Sequence, residues 1–168
     1  MLICGSRDWP WPGAVHTVCD RLESRSGKDL VLIEGAARGA DRACHDWCEA
    51  HGLGTRHRCF RVDWAAERAA RPDSWRKARP ERNTRMLAEN PKLIIACHEA
   101  FLFHRGGTSD MCLRALLVGV PVWFISGPNL SGGQWLRLEM FPRWRAMRAA
   151  DLLRRMYPEM TPKILLTA

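Results

Sequence analysis

Short apolar runs alternate with longer segments of helical period along this chain, and that alternation predicts strands separated by crossover helices in a mainly parallel sheet. Five strands are expected, at Leu2 to Cys4, Leu30 to Ile33, Thr55 to Phe60, Leu93 to Cys97 and Val120 to Ile125. Helices are expected between them at Gly13 to Arg25, Ala40 to His51, Pro80 to Glu89 and Ser109 to Val118. In the second of these, Ala40, Ala43, Cys44, Trp47, Cys48 and His51 recur at helical spacing and predict one buried stripe, with Arg42, Asp46 and Glu49 outside it. The fold class is therefore α/β, a parallel sheet of about five strands with flanking helices.

Two segments depart from this rhythm. Asp63 to Arg79 is charged, contains Pro72 and Asp73, and shows no sustained period, so it reads as a long loop with at most a helical turn. After the fifth strand, Gly127, Pro128, Asn129, Ser131, Gly132 and Gly133 form a cluster of breakers. A C-terminal amphipathic helix follows from Pro142 to Tyr157, with Trp144, Met147, Ala150, Leu153 and Met156 read as one side and Arg145, Arg148, Arg154 and Arg155 on solvated faces. The chain thus divides into a domain over 1–126 and a helical extension over 127–168 that packs on the same domain or on a dimer partner.

Composition narrows the classes. At 168 residues and 46% apolar content the chain can bury one core, which excludes disorder. Its longest apolar run, Leu116 to Ile125, contains Gly119 and Pro121 and falls well short of the roughly 20 residues a spanning helix needs. Met1 leads directly into Leu2, Ile3, Cys4, Gly5 and Ser6 with no leader pattern, and the seven cysteines are odd in number and mostly in apolar surroundings; a cytoplasmic protein with reduced thiols is expected. The net charge is +8. Ten basic residues against four acidic ones fall between Arg56 and Arg85, and such a segment suits a phosphate-bearing partner.

In a parallel sheet, ligands bind beyond the carboxyl ends of the strands. Strand one is followed by Gly5, Ser6 and Arg7, strand two by Glu34, Gly35, Ala36, Ala37, Arg38, Gly39, Ala40 and Asp41. The fourth helix opens on Gly106, Gly107, Thr108, Ser109 and Asp110. Small residues let backbone approach a ligand, and a helix amino terminus offers unpaired N–H groups, so phosphate is the natural guest. Arg82 and Asn83 follow Pro80 and are placed in the first turn of the third helix, where an arginine opposes the helix dipole unless an anion offsets it. No metal site and no cofactor are expected. Cys44, His45, Cys48, His51, His57 and Cys59 suggest zinc at first sight but include no Cys-x-x-Cys pair, and buried thiols explain them better. Trp9, Trp11 and Trp64 lie in loops where they could stack on a base, Trp47 and Trp123 read as core, and Trp75 and Trp135 stay undecided.

Five motifs occur in register over roughly residues 1–126: Gly5, Ser6 and Arg7; Gly35 to Asp41 followed by Trp47; Val62, Asp63 and Trp64; Arg82, Asn83 and Met86; and Gly107, Thr108, Ser109, Asp110 and Met111. Together they resemble the YspA-type, YpsA-related branch of the SLOG superfamily. The resemblance implies a Rossmann-like domain that binds a nucleotide or nucleotide-derived ligand. Relatives include the LOG phosphoribohydrolases, the DNA-processing protein DprA and sensors of nucleotide signals. By that resemblance Gly106, Gly107 and Thr108 match the phosphate-binding Gly-Gly-x-Gly-Thr loop in part, and Arg82 matches the arginine the hydrolases hold near the base. The hydrolases carry a catalytic glutamate three residues after the loop threonine, and that position here is Met111. Asp110 is one residue earlier, about 100° away on the helix. Arg82, Asp110 and Asp41 are the catalytic candidates for splitting the N-glycosidic bond of a nucleoside monophosphate. A non-catalytic sensor or sequestering protein is the alternative, and a DprA-like module for single-stranded nucleic acid the second. LOG-type relatives also imply a homodimer.

Overall fold

The structure is a computed structural model and describes residues 1–159; the end of the 127–168 extension lies outside the described residues. Strands β1 (Leu2–Gly5), β2 (Leu32–Glu34), β3 (His57–Cys59), β4 (Ile94–Cys97), β5 (Val122–Ile125) and β6 (Gln134–Trp135) form one sheet in the order β3-β2-β1-β4-β5-β6. All neighbours are parallel except β5 and β6. This is the Rossmann-like order, in which the chain reverses direction of travel across the sheet between β1 and β4. The helices are α1 (Pro12–Ser26), α2 (Ala40–Ala50), α3 (Trp64–Ala70), α4 (Ala78–Ala88), α5 (Gly107–Leu117) and α6 (Arg143–Met156).

Alternation along each strand builds two cores. Ile3, Leu32, Ile95, Cys97 and Ile125 face α1 and α2, where they meet Val15, Cys44 and Trp47. Leu2, Cys4, Ile33, Ile94, Ala96, Val122 and Phe124 face the opposite layer of α4, α5 and α6. Both faces of the central strands β1, β4 and β5 are covered, so those strands are apolar throughout, as expected of a parallel sheet. The stripe on α2 is buried at Ala40, Ala43, Cys44, Trp47 and Cys48, and Trp47 Nε1 donates to Asp20 Oδ1 at 2.8 Å. All seven cysteines are free and six are buried. Among the described residues no helix is long and apolar enough to cross a membrane.

Four differences from the sequence reading have local causes. The sheet has six strands, because the Gly132 and Gly133 turn returns the chain antiparallel along β5, with Trp135 edge-on to Trp123 at 4.9 Å. Asp63 to Arg79 contains α3, whose start is fixed by Asp63 Oδ1 accepting from Ala65 and Ala66 N–H at 3.0 Å each. That short helix buries no residue, so it leaves no periodic trace in the sequence. The third helix of the sequence reading, α4, begins two residues early, at Ala78, which moves Arg82 and Asn83 into its second turn and leaves Arg79 in the first. On α6 the side that packs is Ala149, Ala150 and Leu153, whereas Trp144 and Met147 are exposed. A series spaced by three drifts about 60° per step around a 3.6-residue helix, so it winds off the core face.

Candidate ligand-binding site

A cavity of about 330 Å³ opens at the carboxyl ends of β1 and β4, the point where the strand order reverses. Gly5, Ser6 and Arg7 enter it from β1, Ala37 and Asp41 from the β2–α2 turn, and Gly107 and Thr108 from α5. Arg79, Arg82, Asn83 and Met86 close it from α4. A smaller annex of about 200 Å³ shares Arg7, Ala37, Arg79 and Arg82 and extends to Gly35, Arg38 and Trp64. The structure therefore brings all but four of the expected site residues into contact with one of these two spaces. Gly39, Ala40 and Gly106 support the turns, and Asp110 faces a different groove.

The close approach at the base of the site depends on glycine. A Cβ on Gly5 would lie 2.3 Å from the Cys97 carbonyl oxygen, and one on Gly39, which adopts φ +69°, would lie 2.1 Å from the Ser6 carbonyl oxygen. Ala40 N–H donates to that same Ser6 oxygen at 3.1 Å, locking the start of α2 to the end of β1.

The two glycine turns differ in what their amides do. Gly35 N–H donates to Asp41 Oδ2 at 3.1 Å, Ala37 N–H to the same oxygen at 3.4 Å, and Ala36 N–H to Glu34 Oε2. Ala36 holds φ +55°, uncommon for a residue with a side chain. The chain's own carboxylates therefore occupy the anion cradle expected here. At α5 no side chain caps the helix, and the amides of Gly107 and Thr108 find no partner among the described residues. That terminus is the one open to an outside anion.

Three guanidiniums converge on the cavity. Arg7, Arg79 and Arg82 form no ion pair among the described residues, and Arg79 is held below its ordinary pKa by burial first and then by the charges of Arg7 and Arg82. Arg82 donates through one terminal nitrogen to the Gly35 carbonyl and through the other to Asn83 Oδ1 at 3.1 Å, while its buried Nε has no partner. Most other basic residues of the Arg56 to Arg85 segment are otherwise engaged. Arg71 pairs with Glu67 and bidentately with Glu81, holding Glu81 below the usual carboxylate range; Arg58 pairs with Glu89; Arg68 and Arg76 lie over Trp75 at 4.8 and 4.7 Å.

The carboxylates divide by helix face. Asp110 accepts from Arg114 Nε at 2.7 Å and from Asn83 Nδ2 at 2.9 Å, and Arg114, itself buried, also donates to Thr84 Oγ1 at 3.0 Å. This network ties α4 to α5, and Asn83 Nδ2 extends it to the Gly107 carbonyl at 3.3 Å. Met111 lines the cavity, so α5 presents no carboxylate to it at that position. The carboxylates that do line the cavity are Asp8, Asp41 and Glu99. Asp41 is 3% exposed, and burial pushes its carboxyl up to about 6 despite the opposing charge of Arg82, with Glu34 adding to the rise and the two amide bonds opposing it. Ser6 Oγ donates to Glu99 Oε1 at 2.9 Å. Ala100 N–H donates to His98 Nδ1 at 3.1 Å, so the ring proton sits on Nε2, and burial lowers the His98 pKa.

His98, Glu99 and Arg79 escaped the sequence reading. The first two directly follow β4, so their position was the available signal. Arg145 escaped as well. Placed on a solvated face by its sequence, it instead reaches the Phe103 carbonyl at 2.5 Å, Ser109 Oγ at 2.6 Å and the Gly106 carbonyl at 3.2 Å, fixing the loop that leads into α5. Trp9 is buried, donates to the Trp11 carbonyl at 2.8 Å and packs edge-on against Trp11, which makes it core; Trp64 borders the annex.

No curated protein and no solved structure matches the chain. The Arg82 and Gly107 motifs lie beyond the segment that a family model covers. Residues 1–69, which carry the Gly5 to Arg7 turn, the Gly35 to Asp41 turn and Trp64, match the model of the YspA, cpYpsA-related SLOG family.

Proposed function

We propose that the cavity binds a nucleotide or nucleotide-derived small molecule, with its phosphate against the amino terminus of α5 and its base toward Trp64 in the annex. The observation that carries this reading is the convergence of Arg7, Arg79 and Arg82 without a carboxylate partner, next to unpaired α5 amides. Like charges held together by the fold are costly unless an anion joins them. The match of residues 1–69 to that family model supports a nucleotide-related role.

The test is calorimetric titration with a panel of nucleoside 5'-monophosphates and the matching nucleosides, beside mass spectrometry of small molecules released on denaturing the purified protein. A monophosphate should bind at least tenfold more tightly than its nucleoside. Equal affinities across every pair would remove the phosphate assignment.

A second reading is N-glycosidic hydrolysis of a nucleoside monophosphate, and Asp41 is what favours it. A buried carboxyl with a pKa of about 6 on the cavity wall has the proton affinity of an acid–base group, and an oxocarbenium-like state needs a carboxylate beside the sugar. Arg82 would assist the departing base. In this reading Asp110 holds α5 in place through Arg114 and Asn83. Release of free base, lost in Asp41→Asn and retained in Asp110→Asn, is the expected pattern; no release from any monophosphate by the unaltered protein leaves a binding protein.

A further inference from the structure

The Glu34, His45 and His57 cluster lines neither the cavity nor its annex. Leu32 pairs with His57 and Glu34 with Cys59 in the parallel register of β2 and β3, so all four side chains project from the same face of the sheet. That face is covered by α2, which delivers His45. Glu34 is fully buried, an unusual location for a carboxylate. Its Oε1 lies 3.3 Å from His45 Nδ1 and 3.1 Å from His57 Nε2, and its Oε2 accepts from Ala36 N–H. The three ligand atoms all lie within 4.8 Å of one another.

We propose that Glu34 Oε1, His45 Nδ1 and His57 Nε2 bind a divalent transition-metal ion of the zinc type. Bond lengths of about 2.0–2.1 Å at a tetrahedral centre place neighbouring ligand atoms about 3.3–3.4 Å apart, close to the two edges from Glu34 Oε1, at 3.3 and 3.1 Å, with the His45–His57 edge within 4.8 Å. Two imidazoles and one carboxylate suit zinc and its neighbours and do not suit magnesium or calcium. On the far side of the ring, His57 Nδ1 lies 3.8 Å from Glu49 Oε1, the outer carboxylate that commonly orients a metal-bound imidazole. Cys59, exposed and paired in register with Glu34, stands at the rim. His45 is partly exposed and gives the ion a way in. The consequence is structural: an ion here clips β2, β3 and α2 together directly beneath the turn that carries Asp41. A proton on each imidazole, donated to Glu34, is the competing occupant.

The experiment strips the full chain with a chelator, refills it with zinc, removes free ion by gel filtration, and measures metal per chain by mass spectrometry beside the thermal midpoint. One equivalent per chain and a raised midpoint are expected, since an ion that binds only the folded state stabilises it. His45→Gln and His57→Gln should each weaken zinc binding at least tenfold with unchanged far-ultraviolet circular dichroism, while His51→Gln keeps full uptake. Less than a tenth of an equivalent in the unaltered protein, or equal uptake by the His45→Gln/His57→Gln double variant, overturns the site. Should those variants fail to fold, cobalt-loaded unaltered protein decides: visible absorption of a tetrahedral cobalt centre supports the site, and a spectrum of octahedral aqueous cobalt rejects it.

Discussion

The turn after β2 and the turn into α5 present the same chemistry in sequence, glycine and small residues at a helix start, yet they reach opposite electrostatic ends. At the first, Asp41 and Glu34 accept the amides of Gly35, Ala36 and Ala37. At the second, the amides of Gly107 and Thr108 stay open, and the nearest carboxylate, Asp110, is turned away into Arg114 and Asn83. The same potential is thus satisfied internally in one place and left for a ligand in the other. A glycine-rich turn is an anion site only when the chain's own carboxylates leave it unoccupied.

That contrast can be broken from either side. Arg114→Ala should have the largest effect, because it leaves Asp110 without its buried charge partner and removes the Thr84 link between α5 and α4; a loss of about 3 kcal/mol in urea unfolding is expected, at the lower end for breaking a buried pair since Asp110 keeps its bond from Asn83 and some solvent contact. Asp41 sharpens the other turn. Its folded pKa of about 6 lies above the ordinary carboxylate value, so the folded state holds the proton more tightly than the unfolded chain. The associated stability is complete below about pH 4 and is lost as pH rises through about 6, a fall of about 2–3 kcal/mol at most. Asp41→Asn should flatten unfolding free energy against pH across that window, and a profile parallel to that of the unaltered protein would contradict the assignment.

Arg79→Ala tests the open turn. Loss of a charge-assisted contact to phosphate should weaken a nucleoside monophosphate by about 10–100-fold in calorimetry and leave the nucleoside unchanged. Asp63→Ala should have the smallest effect. It removes the cap of α3 and loosens the Trp64 wall of the annex, lowering the melting temperature by about 2–4 °C without touching α5.

How much of this could be read in advance varies by element. The parallel strands and the α2 stripe were legible because alternation and helical period are local, and the resulting topology fixed which turns share an edge. β6 was not, since a two-residue strand carries too little pattern. Nor was α3, which forms on a single capping carboxylate. On α6, Arg145 has the spacing of a solvated residue, and only the position of the Phe103 loop turns it inward.

For the site itself, sequence alone determined the glycines at 5, 35, 39 and 107, the arginines at 7 and 82, and their assembly at one sheet edge. Tertiary structure decided which amides are free, that Asp110 faces Arg114 while Met111 faces the cavity, and that Glu34 gathers His45 and His57. The physical reason is range. Periodicity and turn chemistry act between residues a few positions apart, whereas the partner of a buried charge is chosen by whichever groups the packed sheet and helices bring within about 3 Å of it, from anywhere in the chain.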